Sequence, residues 1–119
     1  MAWLFRRKQA SPRITQLDQQ VLDQLVKAGS DLSQEHEIDN FLYFADQSTA
    51  EQAASQLASS SKTVEASPAA QGPGWLTKAV VVLVPTGANV AEMRARMEAI
   101  AATLKGDYDG WGAPIVPKP

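Results

Sequence analysis

The sequence contains no cysteine, and its 119 residues include a single histidine, His36. Without cysteine the chain has no disulfide framework, no thiolate metal site and no cysteine nucleophile. His36 stands between Glu35 and Glu37, and no second histidine lies at a metal-ligand spacing, so we expect an exposed histidine rather than a metal ligand. The sequence therefore predicts neither a metal ion nor a cofactor.

Long hydrophobic runs are also missing. The longest, Ala79 to Pro85, is far shorter than the roughly 20 residues that a membrane-spanning helix needs. The opening segment, MAWLFRRKQASPR, has neither the long apolar core nor the cleavage site of a signal peptide. We therefore expect a cytoplasmic protein without stable membrane association, in which residues 1–13 form a flexible basic arm and residues 14–119 form a single domain.

Positive charge is absent from a long internal stretch. No lysine or arginine lies between Lys27 and Lys62, although that stretch holds six carboxylates: Asp31, Glu35, Glu37, Asp39, Asp46 and Glu51. Such a run is typical of a solvated acidic face, and it also suits electrostatic steering toward a basic partner. With a net charge of −2, the chain lacks the basic character of most nucleic-acid-binding domains, so no direct nucleic-acid contact is expected.

Three amphipathic segments predict helices. The first follows a capping residue, Thr15, and carries an apolar stripe until Gly29 ends it. The second begins with STAE, a capping box in which Ser48 is the cap. The third is capped by Asn89 and ends at Gly106.

Four runs predict strands, at residues 37–45, 62–67, 75–84 and 108–116. The first and third are apolar on both faces, as central strands are, whereas the second and fourth each carry or adjoin a proline, which is typical of edge strands. Right-handed crossovers through the two later helices then predict an α+β fold of the ferredoxin-like class. This βαββαβ sandwich has an antiparallel four-stranded sheet of order 4-1-3-2, and the first helix precedes it.

The first predicted strand divides its side chains between the two faces of that sheet. Ile38, Leu42 and Phe44 share one face, which we expect the crossover helices to cover, whereas Phe41 and Tyr43 point to the other. Bases could stack on those two rings, so weak RNA binding is one possibility. Because the third strand adds almost no aromatic or basic residue there, we favour coverage by the N-terminal helix or by a protein partner.

Signatures of catalysis are nearly absent. PTGAN, at residues 85–89, lacks the lysine and the glycine spacing of a phosphate-binding loop. Asp107 and Asp109 lie two residues apart beside a glycine, which is typical of cap and turn residues rather than of an acid–base pair. The sequence therefore predicts a protein that is not an enzyme.

Two segments resemble one known family. Residues 38–57, IDNFLYFADQSTAEQAASQL, resemble the strand-helix segment of the family of regulators of ribonuclease E activity B (RraB-like proteins), and residues 106–111, GDYDGW, resemble its closing segment. The resemblance extends over about residues 15 to 116. It implies a ferredoxin-like fold and a non-catalytic protein that binds the bacterial endoribonuclease E and inhibits its processing of RNA. At Asn40 the chain departs from the family pattern, which often has a histidine there.

The candidate partner surface combines the acidic stretch, the strand aromatics and the closing aromatic segment. Its residues are Asp31, Glu35, Glu37, Asp39, Phe41, Tyr43, Asp46, Tyr108, Asp109 and Trp111. The closing segment has two interpretations: Tyr108 and Trp111 anchor the last strand beside an Asp109-Gly110 turn, or they contact the partner. An alternative function is a stand-alone interaction domain for a different partner, such as a toxin or a membrane-associated enzyme. The basic arm would then direct the protein to that partner.

Overall fold

The structure, a computed structural model, describes residues 13–119, so the predicted basic arm lies outside the described residues except for Arg13. Within this range the elements are α1 (Gln16–Lys27), β1 (His36–Phe44), α2 (Gln47–Leu57), β2 (Thr63–Pro68), β3 (Trp75–Leu83), α3 (Gly87–Thr103) and β4 (Asp107–Gly112), and a short 3-10 turn, Ala58–Ser60, follows α2. The protein is therefore of the α+β class. None of the helices in residues 13–119 is long and apolar enough to cross a membrane.

The four strands form one antiparallel sheet of order β2-β3-β1-β4. Read from the β4 edge, the same sheet runs β4-β1-β3-β2. The two strands with the longest apolar runs, β1 and β3, lie in the centre, and the two shorter strands lie at the edges, as their sequences predict.

One face of the sheet is covered by helices and is called the covered face here. Along β1 every second residue is buried, beginning with His36 and ending with Phe44, as a period of two requires. These side chains pack against inward residues of the helices: Ala50, Ala53 and Leu57 of α2, and Val90, Met93 and Met97 of α3. The small alanine side chains let α2 lie close to the sheet, where Thr77 Oγ1 donates a hydrogen bond to Ala50 O at 2.8 Å.

Helix α1 lies on the covered side of the sheet, at its β4 edge. Its Leu22 and Leu25 join the core, and its Asp18 contacts Arg94 of α3 and Trp111 of β4. Of the two alternatives for the other face of the sheet, coverage by the N-terminal helix or by a protein partner, the first is therefore wrong. The physical reason is that α1 carries a buried carboxylate, whose hydrogen-bond donors lie on α3 and β4.

The N-caps of the helices agree with the sequence only in part. Thr15 caps α1 as predicted. Helix α2 is capped by Asp46, whose Oδ1 accepts the N–H three residues on at 2.8 Å, so Ser48 lies inside the helix instead. Helix α3 is capped by Thr86 rather than by Asn89. The backbone N–H of Asn89 donates a hydrogen bond to the Thr86 hydroxyl at 3.0 Å. In both corrected cases an earlier oxygen-bearing side chain in extended backbone takes the capping role.

The predicted end of α3 at Gly106 is displaced by a few residues. The helix ends at Thr103, and Lys105 takes the left-handed conformation with φ of 59°. Gly106 is needed for a different reason, because a Cβ there would lie 2.5 Å from Tyr43 O and in contact with the ring of Phe44. This close approach seats the start of β4 against the end of β1.

Candidate functional site

The second face of the sheet, called the open face here, has no helix or strand of residues 13–119 packed on it. Four residues of β1 lie on this face, and the strand register adds neighbours from the other three strands. Its members are Glu37, Asp39, Phe41 and Tyr43 of β1; Leu76, Lys78, Val80 and Val82 of β3; Thr63, Glu65 and Ser67 of β2; and Asp107 and Gly112 of β4. All of them are half-buried or exposed.

Charge is balanced on the β2–β3 side of the open face. Glu65 pairs in register with Lys78 across the two strands, so opposite charges stand next to each other. Lys62, just before β2, places its Nζ 2.6 Å from Glu37 Oε2 in an exposed ion pair. This part of the face is therefore close to neutral.

The β1–β4 side is acidic and aromatic. We call Asp39, Phe41, Tyr43, Asp107 and Asp109 the acidic strip; Asp109 is exposed at the β4 edge beside the open face. Within the part of the chain that the structure describes, none of its three carboxylates forms an ion pair. The strip therefore presents two half-buried rings beside three carboxylates without an ion pair among the described residues, and Lys78 of β3 lies opposite Phe41 in the register.

Tyr43 lies between two depressions at one end of the acidic strip. One, of about 300 Å³, is also lined by Lys105 and Asp107, and the other, of about 380 Å³, is lined by the loop after β2, including Gln71 and Gly74. A partner can therefore reach Tyr43 from both sides.

The closing GDYDGW segment lies in β4 except for Gly106, which precedes the strand, and a β-bulge interrupts the pairing of β4 with β1. Leu42 pairs with Tyr108 and Asn40 pairs with Trp111, so Phe41 alone is opposed by both Asp109 and Gly110. Gly110 has a positive φ of 102°, but the predicted turn is wrong because the chain continues as a strand to Gly112.

The bulge places both aromatic side chains of this segment on the covered face. Without it, residues three apart would point to opposite faces, because side chains alternate along a strand. Trp111 is only 9% exposed, and its Nε1 donates to Asp18 Oδ1 at 2.9 Å. Tyr108 donates its hydroxyl to Asn40 Oδ1 at 2.6 Å. This arrangement is the one that the anchoring interpretation predicts.

Arg94 joins these groups into a network on the covered side. Its Nε lies 2.6 Å from Asp18 Oδ2 and its Nη2 lies 2.8 Å from Asp18 Oδ1, in a two-point contact. The guanidinium carbon also lies 4.9 Å from the centre of the Tyr108 ring, where cation and ring attract. We call Asp18, Asn40, Arg94, Tyr108 and Trp111 the Arg94 network.

Two pKa values report the environment of this network. The hydrogen bonds that Arg94 donates to Asp18 raise the pKa of Arg94 above its usual range, so the guanidinium stays charged. Burial raises the pKa of the Tyr108 hydroxyl, which keeps it neutral and able to donate to Asn40. The network is therefore a satisfied structural unit, without a group prepared for proton transfer.

Three of the predicted surface residues lie outside the sheet faces. Asp31 accepts the N–H of Ser33 at 3.0 Å and its hydroxyl at 2.7 Å, and these bonds lower the pKa of Asp31. Asp46 caps α2, which lowers its pKa in the same way. Glu35 is exposed in the loop before β1. The structure thus brings together Glu37, Asp39, Phe41, Tyr43 and Asp109, and it separates the other predicted residues from them.

His36 is buried, with 1% of its surface exposed, so the expectation of an exposed histidine is wrong. Its Nδ1 donates to Gln34 O at 2.9 Å, and its Nε2 accepts from the Ser30 hydroxyl at 2.6 Å. Ser30 Oγ in turn accepts the N–H of Val116 at 2.9 Å, which fastens the segment after β4. Among residues 13–119 no three histidine or carboxylate side chains are grouped so that they could hold a metal ion.

Sequence reasoning missed Lys78 and Asp107 as members of the open face and Asp18, Asn40 and Arg94 as members of the network. The period of two in β3 could have identified Lys78. The network could not be found in this way, because Asp18 and Arg94 are 76 residues apart.

Comparison with known families gives one match. The model of the family described as Regulator of ribonuclease activity B matches residues 15–113, most of the chain and all of the elements from α1 to β4. No curated protein matches the chain significantly.

Proposed function

The chain belongs to the family described as Regulator of ribonuclease activity B, and from this premise we propose that it is a non-catalytic protein that regulates a ribonuclease by binding to it. The target that we propose is a ribonuclease E-type endoribonuclease in the cytoplasm, whose processing and decay of RNA the bound protein inhibits. We also propose that the βαββαβ order after α1 is a ferredoxin-like fold.

The open face carries this proposal. Aromatic residues that are already held by a sheet lose little conformational freedom on binding, and they are enriched among the residues that contribute most to protein interfaces. Phe41 and Tyr43 are such residues, and the acidic side chains around them would orient a basic partner during its approach. The Arg94 network is unsuited to this role, since its polar groups already bind one another.

A calorimetric titration of the protein with a ribonuclease E homologue from the same cell tests the proposal. We expect saturable binding that Tyr43→Ala weakens strongly, because a partner can reach that ring from both sides. The matched control is Leu17→Ala, which removes an exposed apolar side chain from α1. Absence of binding at tens of micromolar protein, a threshold of about −6 kcal/mol, would refute this target.

Direct RNA binding is the competing function, and the same Tyr43→Ala variant tests it. A gel shift of RNA by this protein that weakens with salt and disappears with Tyr43→Ala would favour RNA contact over protein contact. The acidic strip argues against it, because its carboxylates repel phosphates.

A further inference from the structure

We infer that the acidic strip binds an extended, arginine-containing segment of the partner, at the surface with which the ribonuclease contacts RNA. This inference rests on the proposed function for the identity of the partner. The occupant is defined by three properties of the strip: its charge, its aromatic rings and its spacing.

The charge of the strip favours a cationic occupant. Asp39, Asp107 and Asp109 form no ion pair within residues 13–119, whereas Glu37 on the same face pairs with Lys62. Two lysines border the strip: Lys78 of β3 pairs in register with Phe41, and Lys105 lies at the rim of the depression beside Tyr43. An incoming cation would therefore meet carboxylates that the fold does not use for its own stability.

The rings select arginine over lysine. A guanidinium group stacks on an aromatic ring and binds a carboxylate through two parallel hydrogen bonds, whereas an ammonium group does neither as well. The molecule contains this arrangement on its covered side, where Arg94 lies over Tyr108 and makes a two-point contact with Asp18. The acidic strip offers the same two components, rings and carboxylates, on the open face, and the arginine would come from the partner.

The spacing fits an extended segment. Asp39, Phe41 and Tyr43 lie on one face of β1 at alternate positions, which are about 7 Å apart. Alternate side chains of an extended partner segment have the same separation, so successive arginines would meet successive groups of the strip. A folded helix would place its side chains at intervals that do not follow this row.

The competition with RNA follows from the chemistry of the partner. A ribonuclease holds a polyanion and therefore carries basic side chains where the RNA lies. The acidic strip presents anionic groups beside flat rings, which are the two features that such a surface recognises in single-stranded RNA. The bound protein would then occupy the place of the RNA, which accounts for inhibition without a catalytic group.

The test uses the full chain, and its probe is a synthetic peptide of alternating arginine and glycine, with the matching lysine–glycine peptide as the chemical control. Binding is measured by fluorescence anisotropy at low and at high salt. The test variant is Asp39→Asn/Asp107→Asn/Asp109→Asn. The control variant, Asp23→Asn/Glu51→Gln/Glu92→Gln, removes the same charge from exposed positions on the helices.

We expect the arginine peptide to bind the parent at least about tenfold more tightly than the lysine peptide. We expect the test variant to lose at least about tenfold in affinity and the control variant to stay within about twofold. Equal losses in the two variants would reduce the effect to net charge and would overturn the inference, as would equal affinities for the two peptides.

A second measurement separates the inference from the proposed function. If the ribonuclease binds the test variant as tightly as it binds the parent, the partner uses another surface, and the inference fails while the proposed function stands. If the arginine peptide binds the strip but the ribonuclease does not bind the protein, the proposed target fails and the chemistry of the surface stands. If a single-stranded RNA oligonucleotide failed to displace the protein from the ribonuclease, the inference that the protein and RNA compete for one surface would be overturned.

Discussion

The two faces of the sheet are built from the same strands, yet they differ in whether their carboxylates have partners within the protein. On the covered face Asp18, although only 1% exposed, receives three donor contacts from Arg94 and Trp111. On the open face the carboxylates of Asp39 and Asp107 form no ion pair within the described chain.

Because of this difference, the residues of β1 that stabilise the fold and the residues proposed to bind a partner lie on opposite faces of the strand. Each residue of β1 is one position from a neighbour on the opposite face, so a stability role and a binding role alternate at consecutive positions. Variants of the covered face should therefore change the free energy of unfolding, and variants of the acidic strip should change binding alone. The predictions below test this separation, from the largest expected effect to the smallest.

Trp111→Ala should cause the largest loss on the covered face. We expect about 3–5 kcal/mol, because the change opens a cavity under α1 and removes the N–H that binds Asp18. Urea unfolding followed by circular dichroism measures the loss. If this variant kept the parent's stability and lost partner binding, Trp111 would belong to the binding surface and the separation of the two faces would fail.

Asp18→Ala should destabilise the protein by about 3 kcal/mol, because it leaves the partly buried Arg94 and the Trp111 indole without their acceptor. Its control is Glu98→Gln, which removes the exposed partner of the same guanidinium and should cost less than about 1 kcal/mol. Similar losses in the two variants would show that burial does not distinguish the two ion pairs.

Gly106→Ala should destabilise the fold by about 1–3 kcal/mol, because the added methyl group meets Tyr43 O and the Phe44 ring at the junction of β1 and β4. Thermal unfolding measures the effect. Gly112→Ala, at the end of β4, is the matched control, since a Cβ there meets no atom within 4 Å. A parent-like Gly106→Ala variant would mean that β4 shifts freely along β1.

Asp46→Ala tests an exposed carboxylate that does have donors. Hydrogen bonds from Thr49 lower the pKa of Asp46 below its ordinary value of 3.8, so its contribution to stability is present above that pH and is lost as the pH falls through the lowered pKa. The melting temperatures of parent and variant should therefore differ at neutral pH and converge in acid. Ser48→Ala should leave the melting temperature unchanged, whereas an equal effect of both variants would mean that α2 has no single cap.

Asp39→Asn/Asp107→Asn should have the smallest effect on stability, within about 0.5 kcal/mol, because neither carboxylate has an ion-pair partner among residues 13–119. The same urea titration measures it. A loss of several kcal/mol would show that the strip stabilises the fold, and it would remove the contrast between the two faces.

The sequence predicts those features of the fold that depend on local patterns. Apolar runs placed β1 and β3 in the centre, and the period of two assigned Phe41 and Tyr43 to the face opposite Leu42. The expectation of an exposed His36 is wrong because the charged neighbours in the sequence conceal that this residue belongs to the buried row of β1.

Features that depend on distant contacts could not be predicted. The position of α1 is determined by Asp18, whose donors on α3 and β4 come much later in the chain. The bulge is likewise invisible in the sequence, because Asp109-Gly110 has the same residue preferences in a turn as in a bulge. The candidate site was predicted in part, since its aromatic rings follow from β1 alone but its boundary on β4 requires the strand register.

The bulge at Asp109 and Gly110 also affects how the molecule meets copies of itself. It lies in β4, an edge strand, where an unpaired row of backbone groups would otherwise be a template for another β-strand. A bulged, glycine-containing edge is a poor template, and at the opposite edge β2 ends in Pro68, which lacks an N–H. Both edges of the sheet therefore disfavour the addition of a strand from another copy of the protein.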